Sequence, residues 1–414
     1  MRVDTFELLR CPYCGGRLSL VDSLFHRQEG DAIQDGILGC HCCIFPIVDG
    51  IPVLHLQPAA TAAREHVQAG RPDLARRVMF GFDSEADAEA FEAAASSPAS
   101  TYRQIVEALG PGFEGGYFLY RFSDPTFIVA DAVVRAVART VVGGGRVIDV
   151  CGGSGHLTRT LLDTSSAPPV LADLYFAKVW LARRFTAQGC EPVCCDGNSP
   201  LPFAKGAFRL AMCVDAFMFI WTKRQLVGEL TRLVDGHDDE GTVLIGHTHN
   251  ERVWSPSHGQ PLSPEAYADL FEILEPRVFS EGLLFEDIVA GGPLDLSRLD
   301  AKEVLDRDPA LTIIATRHRG VFARHALESP AAARGEFRLN PLYAAEADGN
   351  QVRLRLRFPG DDYEQEYGAC RRYLPAETTI GRHDLEALPA AGVTGSLAEL
   401  ARRRVILDLP KHYY

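Results

Sequence analysis

One segment of this chain constrains its fold more than any other. An apolar stretch runs directly into a glycine-rich turn, Arg146-Val-Ile-Asp-Val-Cys-Gly-Gly-Ser-Gly155, and a helical pattern follows from His156 to Leu162. Glycines at a strand-to-helix junction let a ligand approach the backbone, and the first N–H groups of the helix are available to bind it. The segment therefore predicts a βα unit whose turn borders a ligand site.

Three more apolar segments downstream end in an acid, namely Asp173, Asp196 and Asp215. Asp173 follows Asp149 by 24 residues, close to the spacing at which a carboxylate meets a ribose diol. Gly241–Gly246 has the composition of a fifth buried strand. This order predicts an α/β fold with a doubly wound, mostly parallel sheet, in which ligands bind at the carboxyl ends of the strands.

With these residues in this order, the chain resembles class I S-adenosylmethionine-dependent methyltransferases over about residues 112–325. The resemblance implies a Rossmann-like methyltransferase sheet with S-adenosylmethionine as cofactor. It also implies a role for each matching residue. Asp149, Gly152, Gly153 and Gly155 would hold the methionine part of the cofactor, Asp173 the ribose hydroxyls, and Asp196 with Gly197 the adenine, while Cys213 would lie at the mouth of the site.

Cys151 departs from that family's pattern, because the family has a glycine at this position. A nicotinamide-dependent Rossmann enzyme is the alternative interpretation of the turn. Such enzymes prefer Gly-x-Gly-x-x-Gly with the third glycine opening the helix, whereas this turn ends at Gly155-His156. The pattern therefore favours the methyltransferase.

Candidate bases lie at the same edge of the predicted sheet. His247 and His249 directly follow the fifth strand, and Asp215 follows the fourth. Histidine titrates near neutral pH and can take a proton from a hydroxyl, amine or carboxyl acceptor as the methyl group transfers. We therefore predict a general base among these three residues; loop hydrogen bonding by the histidines and capping by Asp215 are the structural alternatives.

Two cysteine clusters near the N-terminus predict a metal site. They are Cys11-Pro-Tyr-Cys14-Gly15-Gly16 and Cys40-His41-Cys42-Cys43. Two such turns joined by a hairpin offer the four thiolates of a tetrahedral zinc site, which leaves no open position for catalysis. Cys40 can pair with either Cys42 or Cys43, and buried free cysteines are the alternative. The predicted ligands of this structural zinc are Cys11, Cys14, Cys40 and Cys43.

The residues around these clusters, Leu8–Leu18 and Phe45–Leu54, resemble the Trm112-like zinc-ribbon family, with a shorter and cysteine-crowded second knuckle. That family pairs or fuses with methyltransferases. The resulting domain prediction is a ribbon over 1–57, a helical connector or lid over 58–111, a methyltransferase domain over 112–330 and a C-terminal α+β extension over 331–414.

The net charge and the length of the apolar stretches indicate which classes of partner the chain can bind. The 414 residues carry a net charge of −13, which argues against nucleic acid as the main partner because phosphate binding needs a basic face. No uncharged apolar stretch reaches the roughly 18 residues of a membrane span, and the N-terminal segment lacks the apolar run of a signal peptide. We expect a cytoplasmic protein with reduced cysteines and no membrane partner.

These patterns predict an enzyme that transfers a methyl group by in-line displacement to a small-molecule acceptor, with intermediates of specialised metabolism among the candidates. A methyltransferase for RNA or a translation protein is the second hypothesis. The ribbon favours it, but residues 1–57 hold four Lys/Arg against seven Asp/Glu, a net charge of −3. A non-catalytic S-adenosylmethionine-binding scaffold is the third, and the departure at Cys151 is its only support.

Overall fold

The computed structural model describes residues 1–82, 84–110, 116–236, 241–255, 259–327, 334–388 and 395–414. The chain divides into two compact units, and each is described by itself; the domain boundaries predicted from the sequence stay predictions. The first unit comprises Met1–Glu89, Val133–Leu284 and Asp295–Arg324, and the second comprises Ala90–Ala132, Phe285–Leu294 and His325–Tyr414.

The N-terminal part of the first unit is a small antiparallel sheet. Its strands are β1 Ser19–Leu20, β2 Arg27–Glu29, β3 Ala32–Gly39, β4 Ile44–Val48 and β5 Ile51–Pro52. Strand β3 lies between β1 and β4, β5 pairs with β4, and β2 pairs with β3. The hairpin expected between the two cysteine clusters is thus formed by β2 and β3, and the second cluster lies in the turn from β3 to β4.

A mixed sheet forms the centre of the first unit. Within the described residues it has seven strands, β6 Val147–Val150, β7 Val170–Asp173, β8 Glu191–Cys194, β9 Leu210–Val214, β10 Thr242–His249, β11 Pro276–Ser280 and β13 Ala310–Thr316. Their order is β11-β13-β10-β9-β6-β7-β8. Strands β6 to β10 pair in parallel, whereas β13 is antiparallel to both β10 and β11. The predicted doubly wound α/β fold is confirmed; β11 was not predicted.

Strands β6, β7, β8 and β9 are buried along their whole length, which explains why each appeared in the sequence as a continuous apolar run. The helices of the described residues, taken over both units, are α1 Pro58–Gln68, α2 Pro72–Phe80, α3 Glu85–Ser96, α4 Tyr102–Leu109, α5 Pro125–Val141, α6 Thr158–Leu161, α7 Phe176–Leu181, α8 Lys223–Val234, α9 Pro264–Ala268, α10 Glu281–Val289, α11 Lys302–Leu305, α12 Asp361–Tyr367, α13 Arg382–Ala387 and α14 Ser396–Arg402. Over the described part of the chain, none is both long and apolar enough to cross a membrane.

The second unit has its own core and its own strands. Its strands among the described residues are β15 Glu336–Leu339, β16 Tyr343–Asp348, β17 Gln351–Leu356, β18 Glu377–Gly381 and β19 Ile406–Leu409, while β12 Leu294–Asp295 and β14 Arg324–His325 each include one residue of either unit. Strand β17 lies between β16 and β18, and β15 pairs with β19. Arg353 and Arg355 of β17 pair with Glu377 of β18, so the arginine face of this strand is compensated by acids.

Candidate functional site

Four cysteine sulfurs meet between the turns of the N-terminal sheet. The Sγ atoms of Cys11, Cys14, Cys40 and Cys42 all lie within 4.8 Å of one another. The Cys11–Cys42 and Cys14–Cys40 sulfurs are 3.7 Å apart, and the Cys40–Cys42 sulfurs 3.6 Å. A tetrahedral zinc ion with Zn–S bonds of about 2.3 Å separates its sulfurs by about 3.8 Å. The cluster therefore has the dimensions of a four-thiolate zinc site.

Cys43, the predicted fourth ligand, lies outside this group, and Cys42 takes its place. The side chain of Cys43 packs against the core of the first unit, and its sulfur lies 3.4 Å from that of Cys42. Its backbone N–H donates to Cys40 Sγ at 3.3 Å, and the N–H of Cys42 donates to the same sulfur at 3.4 Å. Burial alone would raise the pKa of Cys40, but these hydrogen bonds and those of neighbouring thiols outweigh it and lower the pKa to about 7, whereas burial raises the pKa of Cys11 and the neighbouring thiols raise that of Cys42.

The same N-terminal sheet is hydrogen-bonded to the edge of the central sheet. The N–H of Leu54 donates to the Cys194 carbonyl, at the end of β8, at 2.7 Å. The N–H of Arg10 donates to the Pro202 carbonyl, in the loop after β8, at 2.8 Å. Asp196 therefore lies in a stretch of backbone that the ribbon holds on both sides.

Asp149, the third residue of β6, lies beneath the glycine-rich turn. It is 1% exposed, and its carboxylate accepts a hydrogen bond from Thr158 Oγ1 at 2.6 Å. Burial raises the pKa of Asp149 to about 7, although the Thr158 hydrogen bond opposes the rise. A Cβ at Gly152 would lie 2.6 Å from this carboxylate and would also collide with Leu171. A glycine here is what lets the turn close over the acid.

The turn runs through left-handed backbone at Cys151, Gly153 and Gly155, with φ angles of +59°, +55° and +76°. Of these three, Cys151 is the one that carries a side chain, at a cost of about 1–2 kcal/mol. Its thiol hydrogen-bonds to Cys213, and this contact together with burial raises its pKa. Cys213 itself is fully buried, so the structure places this predicted cofactor contact beneath the turn.

Asp173 joins the end of β7 to the same turn. Its Oδ2 accepts the N–H of Gly153 at 3.0 Å, and its Oδ1 accepts the N–H of Tyr175 at 2.9 Å. Burial raises the pKa of Asp173, against the effect of these hydrogen bonds. The structure therefore brings Asp149, Asp173 and the glycines together, and their roles in cofactor binding stay predictions.

Asp196 and Gly197 follow β8 and reach the same place. A Cβ at Gly197 would lie 2.9 Å from Cys151 Sγ, so this segment packs directly on the glycine-rich turn. Asp196 Oδ1 accepts the N–H of Asn198 at 2.8 Å, and Asn198 Oδ1 accepts the N–H of Trp221 at 2.8 Å. Asn198 thus ties the loop after β8 to the loop after β9.

His247 lies at a bulge in β10. The register of β10 against β13 shifts between Ile245 and Thr248, and His247 adopts a left-handed φ of +44°. Bulges re-aim side chains next to functional sites. Here the result is that His247 Nε2 lies 4.0 Å from Oδ1 of Asp215, a residue that also has a left-handed φ, of +57°.

Glu281, the first residue of α10, fixes the ring of His247. It is 6% exposed. Its Oε2 lies 2.7 Å from His247 Nδ1, while its Oε1 accepts the N–H of His247 at 2.8 Å and the hydroxyl of Thr312 at 2.7 Å. Burial alone would raise the pKa of Glu281, but His247 and Thr312 outweigh it and lower the pKa. A carboxylate at Nδ1 favours the tautomer with its proton there, so the lone pair that accepts a proton is on Nε2.

His249 stands beside this pair without joining it. Its ring is edge-on to the ring of His247, with centroids 5.6 Å apart, and its Nδ1 lies 3.1 Å from Ser255 Oγ. Burial and the neighbouring His247 lower the pKa of His249. A loop hydrogen bond of this kind is the structural alternative to a catalytic role, and the role of His249 as a base stays a prediction.

Glu281 and Asn198 were absent from the predicted site. Asn198 had a signal, because it opens the segment directly after Asp196-Gly197. Glu281 had none, since it follows β11, a strand that was itself not predicted, and lies 34 residues after His247. Only the order β11-β13-β10 brings it to the histidine.

The chain matches no protein-family model and no curated protein. Solved structures do match it. An S-adenosylmethionine-dependent methyltransferase from Mesorhizobium loti is 16% identical over 46% of this chain and 97% of that chain, with a TM-score of 0.35. Matches of this kind cover about half of this chain. The mixed sheet, with its strand order and its antiparallel β13, is typical of the methyltransferase fold.

Two further solved structures match parts of this chain. Geranyl diphosphate C-methyltransferase from Streptomyces coelicolor is 17% identical over 43% of this chain and 74% of that chain, with a TM-score of 0.32. A chain from the complex of the Haloferax volcanii Trm112 methyltransferase activator is 22% identical over 45% of this chain and 89% of that chain, with a TM-score of 0.34.

Proposed function

We propose that this chain transfers a methyl group from S-adenosylmethionine to a small-molecule acceptor, with His247 as the general base. The observation that carries the proposal is the pair of His247 and Glu281 at the carboxyl edge of the sheet, 2.7 Å apart at Nδ1. In open α/β sheets this edge is where ligands bind. A partly exposed histidine oriented by a buried carboxylate is suited to accept a proton there.

The residues around the glycine-rich turn fit the proposed cofactor. A carboxylate has about four lone-pair positions, and Asp173 uses one on each oxygen for the backbone, which leaves acceptors for two ribose hydroxyls. A Cβ at Gly153 would meet no atom within 4 Å, so the backbone is open to a ligand at that point. When bound, S-adenosylmethionine supplies a methyl group on a cationic sulfonium.

The cysteine cluster fits a structural zinc ion, and we propose Cys11, Cys14, Cys40 and Cys42 as its ligands. Four thiolates fill a tetrahedral site, so the ion would take no part in methyl transfer. Its effect would reach the cofactor site through the backbone, because the ribbon holds the chain at Cys194 on one side of the adenine segment and beyond it on the other.

The choice of a small molecule over RNA rests on charge. The chain carries −13, and the candidate site is lined by carboxylates. RNA binding draws its affinity from cations placed against phosphates. The acidic balance therefore supports an acceptor without a phosphate backbone.

Calorimetric titration with S-adenosylhomocysteine tests the proposal without knowledge of the acceptor. We expect one site per chain. Asp173→Asn should weaken binding at least about tenfold, because hydrogen bonds to a charged group contribute about 1.5–3 kcal/mol. Asp348→Asn, which changes an exposed acid of the second unit, is the matched control and should bind as the unmodified chain does.

Absence of any heat of binding would overturn the proposal. Tight binding of a single-stranded RNA oligonucleotide at physiological salt would replace the small acceptor with the RNA hypothesis. Binding of S-adenosylhomocysteine without methyl transfer to any acceptor class would favour the scaffold.

A further inference from the structure

Three exposed aromatic side chains lie in the loops that follow β9 and β10. Phe219 is 50% exposed, Trp221 75% and Trp254 83%; together they are the aromatic rim. Phe219 and Trp221 follow β9, and Trp254 follows β10. Because β9 and β10 are parallel neighbours, the rim leaves the sheet at the same edge as His247. Large aromatic surfaces open to water at a ligand-binding edge mark a contact surface.

Hydrogen bonds connect Trp221 to the cofactor side of the site. Its N–H donates to Asn198 Oδ1, and the N–H of Asn198 donates to Asp196. The N–H of Gln260 donates to the Met218 carbonyl at 2.8 Å, which joins the loop after β10 to the segment after β9. The two loops that carry the rim are therefore held together.

Trp254 is connected to the base side. The next residue, Ser255, lies 3.1 Å from His249 Nδ1, and the His249 ring packs edge-on against His247. The loops that carry the rim are thus connected to the segment that would hold adenine and, through Ser255 and His249, to the residue that would accept the proton. An acceptor bound between these points would lie against aromatic side chains.

The charges of this edge disfavour an anion. Lys223 donates to two backbone carbonyls of the segment after β9, at 2.6 and 3.2 Å, and Arg252 pairs with Glu265 at 2.9 Å. These two are the Lys and Arg residues of the rim segments 215–223 and 250–255, and both are engaged. The carboxylates of Asp215 and Glu281 flank the base. An anionic acceptor would meet like charge at this edge.

We propose that the acceptor is an uncharged planar aromatic molecule with an ionisable hydroxyl, and that it stacks on the aromatic rim. The inference rests on the proposed function and specifies its substrate class. The hydroxyl gives its proton to His247 Nε2, and its oxygen forms the new bond to the methyl carbon. The S–CH3 bond breaks at the same time and leaves its electron pair on sulfur, which turns the sulfonium into a neutral thioether.

Three probes of similar size separate the features of this acceptor. The probe 2-naphthol is aromatic and neutral, 2-decalol is neutral but not aromatic, and 2-naphthoate is aromatic but anionic. Each is titrated by calorimetry into the full chain saturated with S-adenosylhomocysteine. We expect 2-naphthol to bind at least about tenfold more tightly than either of the others, a difference of about 1.4 kcal/mol.

Variants locate the binding surface. Trp221→Ala and Trp254→Ala should each weaken 2-naphthol binding about tenfold, while Trp254→Phe should stay within about threefold because it keeps an aromatic face. Leu299→Ala, at a residue 79% exposed outside the rim, is the matched control and should change nothing. Affinity for S-adenosylhomocysteine should be the same in all four variants.

The outcomes are distinguishable. Failure of the unmodified chain to bind S-adenosylhomocysteine overturns the proposed function itself. If it binds, then equal affinity for 2-naphthoate, no effect of either tryptophan variant, or no binding of any probe overturns the aromatic acceptor. In the last case the rim would be a surface for a macromolecule.

Discussion

The cysteine cluster and the His247–Glu281 pair differ in how easily they are recognised in the sequence, although their members are about equally far apart along the chain. Cys11 and Cys42 are separated by 31 residues, and His247 and Glu281 by 34. Spacing predicted a cluster that includes Cys11 and a cysteine of the second turn, although it named Cys43 in place of Cys42, whereas Glu281 was not found at all. Distance along the chain therefore does not decide what can be recognised.

What decides whether a site residue can be recognised in the sequence is how rare its residue type is and whether its pattern is repeated. Cysteine is uncommon, and two cysteines in one tight turn, repeated after a hairpin, have few purposes other than holding a metal. Glutamate is common on every surface. Glu281 acquires a role only because three strands set it beside His247. The cluster is built from two similar cysteine turns, whereas the His247–Glu281 pair arises from the order of the strands in the sheet.

Removing one ligand tests the cluster and should have the largest effect. Cys42→Ser should lose the zinc that we expect the unmodified chain to carry at one per chain, because structural zinc binds with about 10 kcal/mol or more of free energy and a missing thiolate forfeits much of it. Metal analysis and thermal unfolding measure this. Cys43→Ser is the control and should keep its zinc; if it loses the metal while Cys42→Ser retains it, the ligand assignment is wrong.

Asp149, beneath the glycine-rich turn, should make the free energy of unfolding of the chain depend on pH. Its pKa is about 7 in the folded chain, against an ordinary value of 3.8, so between these pH values the folded chain holds a proton that the unfolded chain has released. The free energy of unfolding should then fall as pH rises from about 4 to about 7, by at most about 4 kcal/mol. Urea unfolding at pH 5 and pH 7.5 measures the fall. Asp149→Asn should reduce it, and parallel curves for the two proteins would contradict this origin of the pH dependence.

Alanine variants of His247 and His249 should differ in how much kcat they lose. His247→Ala should lower kcat about a hundredfold or more, since general bases contribute 10²- to 10⁴-fold, and should leave the Kd of S-adenosylhomocysteine within about twofold. His249→Ala should cost less than about tenfold, because its ring is bonded to Ser255. A larger loss in the His249 variant would reverse the assignment of the base.

Substitutions of Cys151 should have the smallest effect, and that effect is on the stability of the chain. Cys151→Gly and Cys151→Ala both remove the thiol contact with Cys213, but only glycine relieves the left-handed backbone at φ +59°. The glycine variant should be more stable than the alanine variant by about 1 kcal/mol in chemical unfolding. An alanine variant of equal or greater stability would mean that the turn carries no strain at this residue.

The fold was readable from the sequence where local chemistry determined it. Asp124 followed by Pro125 is a pattern typical of a helix start, and at the start of α5 Asp124 Oδ1 does accept the N–H of Phe127 at 2.5 Å. Buried parallel strands were readable as apolar runs that end in acids. The edge strand β11 was not, because Pro276–Ser280 is partly exposed and has no such run.

Only those residues of the candidate site that belong to a recurring sequence pattern could be predicted from the sequence. The glycines and Asp173 fall on a pattern that backbone geometry imposes, so spacing alone pointed to them. The choice between Cys42 and Cys43 depends on which side chain turns toward the core, and spacing does not encode that direction. The bulge that places His247 is likewise a product of strand pairing between β10 and β13.

The central claim is that Glu281 orients His247 for proton removal during methyl transfer, and the kcat of Glu281→Gln tests it most directly. Glutamine keeps the shape and a hydrogen bond but loses the charge. We expect kcat to fall at least about tenfold, with the KM for S-adenosylmethionine and the Kd of S-adenosylhomocysteine within about twofold of the unmodified chain. An unchanged kcat, or a loss of cofactor affinity that parallels the loss of kcat, would contradict the claim.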